Sequence, residues 1–116
     1  LTRIALNRLE FLENGKISFT YITEEDMQKA NAKTGDHEGI VTIGRNIEGV
    51  EVSVFARQID EGWRLSLRSN DYVNVSDVCI MFGGGGHPKA AGATLTGSID
   101  EVKDKILAQI KRYIRN

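Results

Sequence analysis

Residues 83–86 are four consecutive glycines, followed at once by His87, Pro88, Lys89, Ala90, Ala91 and Gly92. No other stretch limits the chain so strongly. A backbone without Cβ atoms can approach another backbone or a ligand closely, and it takes conformations that other residues avoid. Each glycine also loses much backbone entropy on ordering, so few purely structural loops carry four in a row. One reading is a flexible linker, but the flanks Met81-Phe82 and Ala90-Ala91 are apolar and lack the Ser or Pro of a linker. The other is an anion site. Successive glycine N–H groups turned inward form a nest, His87 offers a ring N–H donor, and Lys89 adds a point charge. The small Ala90, Ala91 and Gly92 leave room for a ligand or another backbone.

The 116 residues suit a single domain with a modest core. The chain opens on Leu1, which suggests an origin in a longer protein. Net charge is −1 and the pI is near 6.1, which argues against a broad, non-specific duplex-binding surface but allows a small basic pocket. The single cysteine, Cys79, rules out an internal disulfide framework and reads as a small core residue. No apolar run reaches membrane-spanning length and no signal peptide is visible, so a cytoplasmic protein is the default expectation.

Taken in order, the chain reads as alternating helices and strands. Residues 1–13 place Ile4, Ala5, Leu9 and Leu12 at helical spacing, with Asn14-Gly15 as a stop. Residues 16–22 alternate as a strand, and Thr23 caps a helix ending near Lys33. A polar loop over 34–39 holds His37 and Glu38, and 40–47 reads as a short helix. Residues 50–59 and 63–69 form a hairpin turning at Glu61-Gly62, a register that pairs Ala56 with Leu67. Its apolar faces coincide, and the opposite face gathers Arg57, Arg64, Ser66 and Arg68 as an anion surface or a solvated one. Asn74 caps a helix that stops at Gly83, residues 93–96 form a short strand, and Ser98 with Glu101 makes a capping box for the last helix. That helix carries the stripe Ile99, Val102, Ile106, Ile110 and Tyr113. The expected fold is α/β (α+β): a two-layer domain with a small mixed β-sheet and packed helices.

The residues offer no nucleophile elbow, no P-loop lysine–serine pair and no metal-ligand spacing. They describe a place that holds an anion without a full set of catalytic groups. Gly84-Gly85-Gly86-His87 followed by Ala90-Ala91-Gly92-Ala93 resembles the signature of the DHH-associated domain, the C-terminal half of DHH phosphoesterases. Asp36-His37-Glu38-Gly39, Ile47-Glu48-Gly49-Val50-Glu51-Val52 and Leu67-Arg68-Ser69-Asn70 are similar to the branch of bacterial nano-RNases, bifunctional oligoribonucleases and pAp phosphatases.

The resemblance implies a domain of the DHH-associated type over 15–116, with residues 1–14 a helix continuing from a linker. It implies a parent that hydrolyses short oligoribonucleotides, and pAp as a further substrate, with manganese bound by an absent N-terminal DHH domain that faces this one across a cleft. The fragment alone is expected to be inactive, and the resemblance leaves room for a homodimer. Carried over to this chain, Gly84, Gly85, Gly86 and His87 would contact substrate phosphate, with His87 stabilising its charge. Ala90 and Ala91 would border it, and Arg68, Ser69 and Asn70 would hold the second nucleotide or its terminal phosphate. Glu38, Arg57 and Lys89 are secondary candidates, and Arg64, near the hairpin loop, is expected to matter less. Similar glycine–histidine elements occur in cyclic-dinucleotide phosphodiesterases and RecJ-like exonucleases. A related element in the C-terminal domain of alanyl-tRNA synthetase keeps open a non-catalytic nucleotide- or RNA-binding module.

Overall fold

A computed structural model of the chain describes residues 2–30, 40, 43 and 46–115. Its elements are α1 (Thr2–Asn7), β1 (Glu10–Leu12), β2 (Ile17–Ile22), α2 (Glu24–Lys29), β3 (Val52–Ile59), β4 (Gly62–Ser69), α3 (Val75–Ile80), β5 (Gly85–His87), β6 (Ala90–Leu95) and α4 (Ile99–Lys111). The strands form one sheet in the order β1-β2-β3-β4-β6-β5. Only β2 and β3 pair in parallel among these neighbours.

Alternation along the strands sends Phe19, Val54, Leu65, Leu67 and Ala93 to one face, where α3 and α4 cover them. The stripe predicted for the last helix supplies Val102, Ile106 and Ile110, all fully buried. The small mixed sheet with packed helices is therefore present. Over β2 and β3 the reverse face is covered as well: Phe55 and Ile22 pack with Ala5, Met27 and Ile40 in a second cluster. Among the described residues, no helix is long and apolar enough to cross a membrane.

The caps are where the sequence places them. Thr23 with Asp26, and Ser98 with Glu101, close reciprocal capping boxes, and the Asn74 carboxamide oxygen accepts from the Ser76 and Asp77 amides.

Four expectations are corrected. The helix expected over 1–13 stops at Asn7, and Glu10–Leu12 pairs with the open edge of β2. Glu13, Asn14 and Gly15 all have positive φ (53, 57 and 81°), so Asn14-Gly15 is a hairpin turn and not a helix stop. The second helix ends at Lys29, with Ala30 as its C-cap. The β3–β4 hairpin turns at Asp60-Glu61, and Ala56 pairs with Leu65 rather than Leu67. Gly62 is a strand residue because β6 runs so close that a Cβ there would lie 2.3 Å from the Leu95 carbonyl oxygen. The register slip is two residues, which leaves every side chain on its expected face. The glycine run is the fourth correction and belongs with the site. Of the helix expected over 40–47, residues 41, 42, 44 and 45 lie outside the described residues, as does the 34–39 loop.

Two polar contacts hold the frame. Glu51 is 5% exposed, and its carboxylate accepts from the backbone N–H groups of Asp71, Tyr72 and Val73, at 2.8 Å for the last two. A buried carboxylate persists only when so satisfied. Arg8, just beyond α1, pairs with Asp26 of α2. The Arg8 guanidinium and then the Thr23 amide hold the Asp26 carboxyl at about 2, below the usual 3.8, against the opposing effect of burial.

Glu51→Ala strands three amides and should cost about 2–4 kcal/mol in urea denaturation, with Glu51→Gln costing less because one acceptor oxygen remains. A loss below about 0.5 kcal/mol, the level of an ordinary surface change, would contradict this account. Asp26→Asn tests the ion pair. A depressed carboxyl pKa contributes stability above the unfolded-state value and loses it as pH falls. The stability difference between native and variant should therefore be constant above about pH 5, shrink progressively as pH falls through 3.8, and be lost fully only below about 2.

Candidate functional site

Residues opposed across antiparallel strands share a face, so the register sorts the reverse face into rows. One row runs Ser53, Arg68, Ala90 and His87 across β3, β4, β6 and β5. The next runs Phe55, Ser66, Gly92 and Gly85, and a third Arg57, Arg64 and Thr94. Phe55 lies under the second cluster. From β4 outward no described helix covers the face, and Arg64, Thr94 and His87 are exposed. The result is a shallow floor of Ser66, Ala90 and Gly92, edged by two arginines and a histidine. No acidic residue occupies these rows.

The glycine run forms this edge as a strand, which corrects the expected nest. Gly83 takes φ 79° to end α3. Its amide donates to the Ile80 carbonyl and the Gly84 amide to the Cys79 carbonyl, both at 3.0 Å, so two presumed nest donors are used in capping the helix. Gly85 and His87 then pair with Gly92 and Ala90. The approach to β6 is too close for side chains. A Cβ at Gly84 would lie 2.1 Å from the Gly92 carbonyl oxygen, and one at Gly86 2.7 Å from that of Ala90.

Pro88 and Lys89 make the two-residue turn behind His87, and that turn is tied to the end of β4. The Pro88 carbonyl accepts from the Val75 amide at 2.9 Å and the Ser69 hydroxyl at 3.3 Å. The Ser69 amide donates to the Lys89 carbonyl at 3.0 Å, and the Lys89 ammonium donates to the carbonyls of Asn70 and Asp71 at 2.8 Å each. The adjoining 71–73 amides are those that Glu51 holds.

The sequence-predicted site residues thus divide. Arg68, His87 and Ala90 come together on the open face, with Gly85 beside them in β5, where a Cβ would face Ile80 of α3. Ser69 and Ala91 point to the core side and are buried. The Asn70 carboxamide donates to the Val50 carbonyl at 2.7 Å. Gly84 and Gly86 provide close approach between strands, and Lys89 ties the turn to the strand end. Arg57 lies two strands from β6 and lines an open cavity of 540 Å³ with Glu24, Gln58 and Asp60 among others. Glu38 lies outside the described residues.

Sequence reasoning missed Glu51 and did not foresee where the Arg64 side chain lies. A lone acid between Val50 and Val52 at the start of an inner strand was a usable signal, since such a group is buried only with partners. Arg64 leans over Gly92, where a Cβ would meet its Nη2 at 2.7 Å, and Nη1 donates to Thr94 Oγ1 at 3.3 Å. Burial pushes the Cys79 thiol up to about 11, so it stays a neutral core group. Among the described residues no three His, Cys, Asp or Glu side chains cluster to hold a metal.

Known proteins place the chain in a family. The chain is 39% identical over 80 residues to a bifunctional oligoribonuclease and PAP phosphatase of Thermus thermophilus, covering 68% of this chain and 25% of that protein. It is 31% identical over 107 residues to a protein of the same description from Mycoplasma genitalium, covering 91% and 33%. The chain therefore spans a third or less of the length of these relatives. Among solved structures, an exopolyphosphatase-related protein from Bacteroides fragilis superposes with a TM-score of 0.89 at 26% identity, over 97% of this chain and 33% of that one. The family model described as the DHHA1 domain matches residues 3–116, so the chain belongs to the DHHA1 (DHH-associated) domain family.

Proposed function

We propose that this chain is the substrate-binding domain of a DHH phosphoesterase that hydrolyses short oligoribonucleotides and pAp. Membership of the family and the activities in the relatives' names support the class. The observation that carries the binding role is the row Arg68–Ala90–His87. Two strand spacings separate Arg68 from His87, roughly 10 Å between backbones, a gap that two inward-reaching side chains can close around one phosphate group. Ala90 between them presents a single methyl, so the phosphate can settle onto the sheet.

The arginine fork meets two phosphate oxygens with parallel hydrogen bonds. His87 donates a ring N–H to a third and stabilises the charge that develops there during hydrolysis. Water is excluded on one side by the packed sheet. In this reading the manganese that activates water in the parent is held by a separate DHH domain, which closes the cleft from the other side. The share of this chain is to bind, to orient and to donate.

His87→Ala in the full-length protein should lower kcat about a hundredfold, the scale of losing one transition-state donor. Thermal stability should be unchanged, because the ring is exposed. Arg68→Lys keeps the charge but loses the fork, and should weaken dinucleotide binding by about 1.5–3 kcal/mol. Full activity in both variants would remove the row from the function.

A further inference from the structure

We propose that Arg64 is a second phosphate contact, holding the phosphate next along the nucleotide chain from the one between Arg68 and His87. The proposal rests on the function proposed above and extends it to a ligand class: nucleotides with two phosphates in succession along one strand.

By register Arg64 belongs to the hairpin end of β4, opposite Arg57 on β3 and Thr94 on β6. Its guanidinium does not stay there. Like charges directly opposed across strands repel, and Gly92 offers the one floor position on β6 with no Cβ. A Cβ at Gly92 would lie 2.7 Å from Arg64 Nη2 and 3.2 Å from Cζ, so the guanidinium rests on this glycine. Gly92 is paired with Ser66 and Gly85, in the row adjacent to Arg68–Ala90–His87.

Adjacent rows on one face of a strand are roughly 6.7 Å apart, comparable with the separation of successive phosphates along an extended nucleotide chain. The hydrogen bond from Nη1 to Thr94 Oγ1, at 3.3 Å, steadies the group. A guanidinium has five N–H donors, so this bond leaves others for a ligand. No acidic residue on these rows competes for them. Gly92 is thus shaped for Arg64: it seats the side chain as well as letting β4 approach, since a Cβ there would also lie 3.0 Å from the Leu65 carbonyl oxygen.

The test uses the full-length protein carrying this domain, with divalent metal removed by chelation so that ligands stay intact. Calorimetry compares ApA, with one phosphate, and pApA, with two. Arg64→Gln should weaken pApA roughly tenfold and leave ApA within about twofold, while Arg68→Lys weakens both. The salt dependence of pApA binding should also fall by about one phosphate contact in Arg64→Gln. Equal effects of Arg64→Gln on the two ligands, or none on either, would overturn the second contact. The Arg68–His87 reading would survive that result as long as Arg68→Lys still weakens binding. If Arg68→Lys changes neither ligand, the underlying reading fails and the Arg64 contact falls with it.

Discussion

No methyl group fits between Gly84 and the carbonyl oxygen of Gly92, where a Cβ would sit 2.1 Å away. The arrangement of the open face depends on that close approach. It lets a strand of two glycines and a histidine run beside β6, and it fixes His87 opposite Ala90. The same lack of side chains at Gly92 leaves the floor on which Arg64 lies. Glycine costs entropy in a strand and contributes no packing, so a glycine edge strand is poorly stabilised by itself.

That deficit is met from behind. The turn after His87 is tied to β4 by Ser69, to α3 by the Val75 amide and to the 70–71 carbonyls by Lys89. Glu51 in turn orders the 71–73 backbone. Ser69 and Lys89 sit beside the row from Arg68 to His87, but their polar atoms bind backbone. Such support is what a binding site needs when its contact residues must hold a geometry to within a fraction of an ångström. A buried carboxylate and an exposed ammonium thus both hold the backbone of residues 70–73, one through its amides and the other through its carbonyls.

Much of this was legible in the sequence where it depends on neighbours along the chain. The capping residues Thr23, Asn74 and Ser98 act within three positions, and strand alternation has a period of two, so both read directly. The glycine–histidine signature pointed to the DHHA1 family, to which the chain belongs. What could not be read depends on other strands. Gly62 looks like a turn residue until β6 is placed beside it, which is why the hairpin register slipped by two while the faces survived. Residues 85–87 carry almost no strand propensity and form a strand only because β6 offers an open edge. Glu10–Leu12 fits a helical stripe as well as a ladder, and pairing with β2 decided it. The lean of Arg64 follows from a missing Cβ on the adjacent strand, a feature no local pattern encodes.

The central claim is that phosphate is held on the open half of the sheet, over the row from Arg68 to His87. Titrating pAp into the 15N-labelled chain and following amide shifts tests it directly. The account predicts the largest changes at residues 64–68 and 85–92, with little change around the cavity lined by Glu24, Arg57 and Asp60. Shifts centred on that cavity, with residues 85–92 unperturbed at saturating ligand, would contradict it.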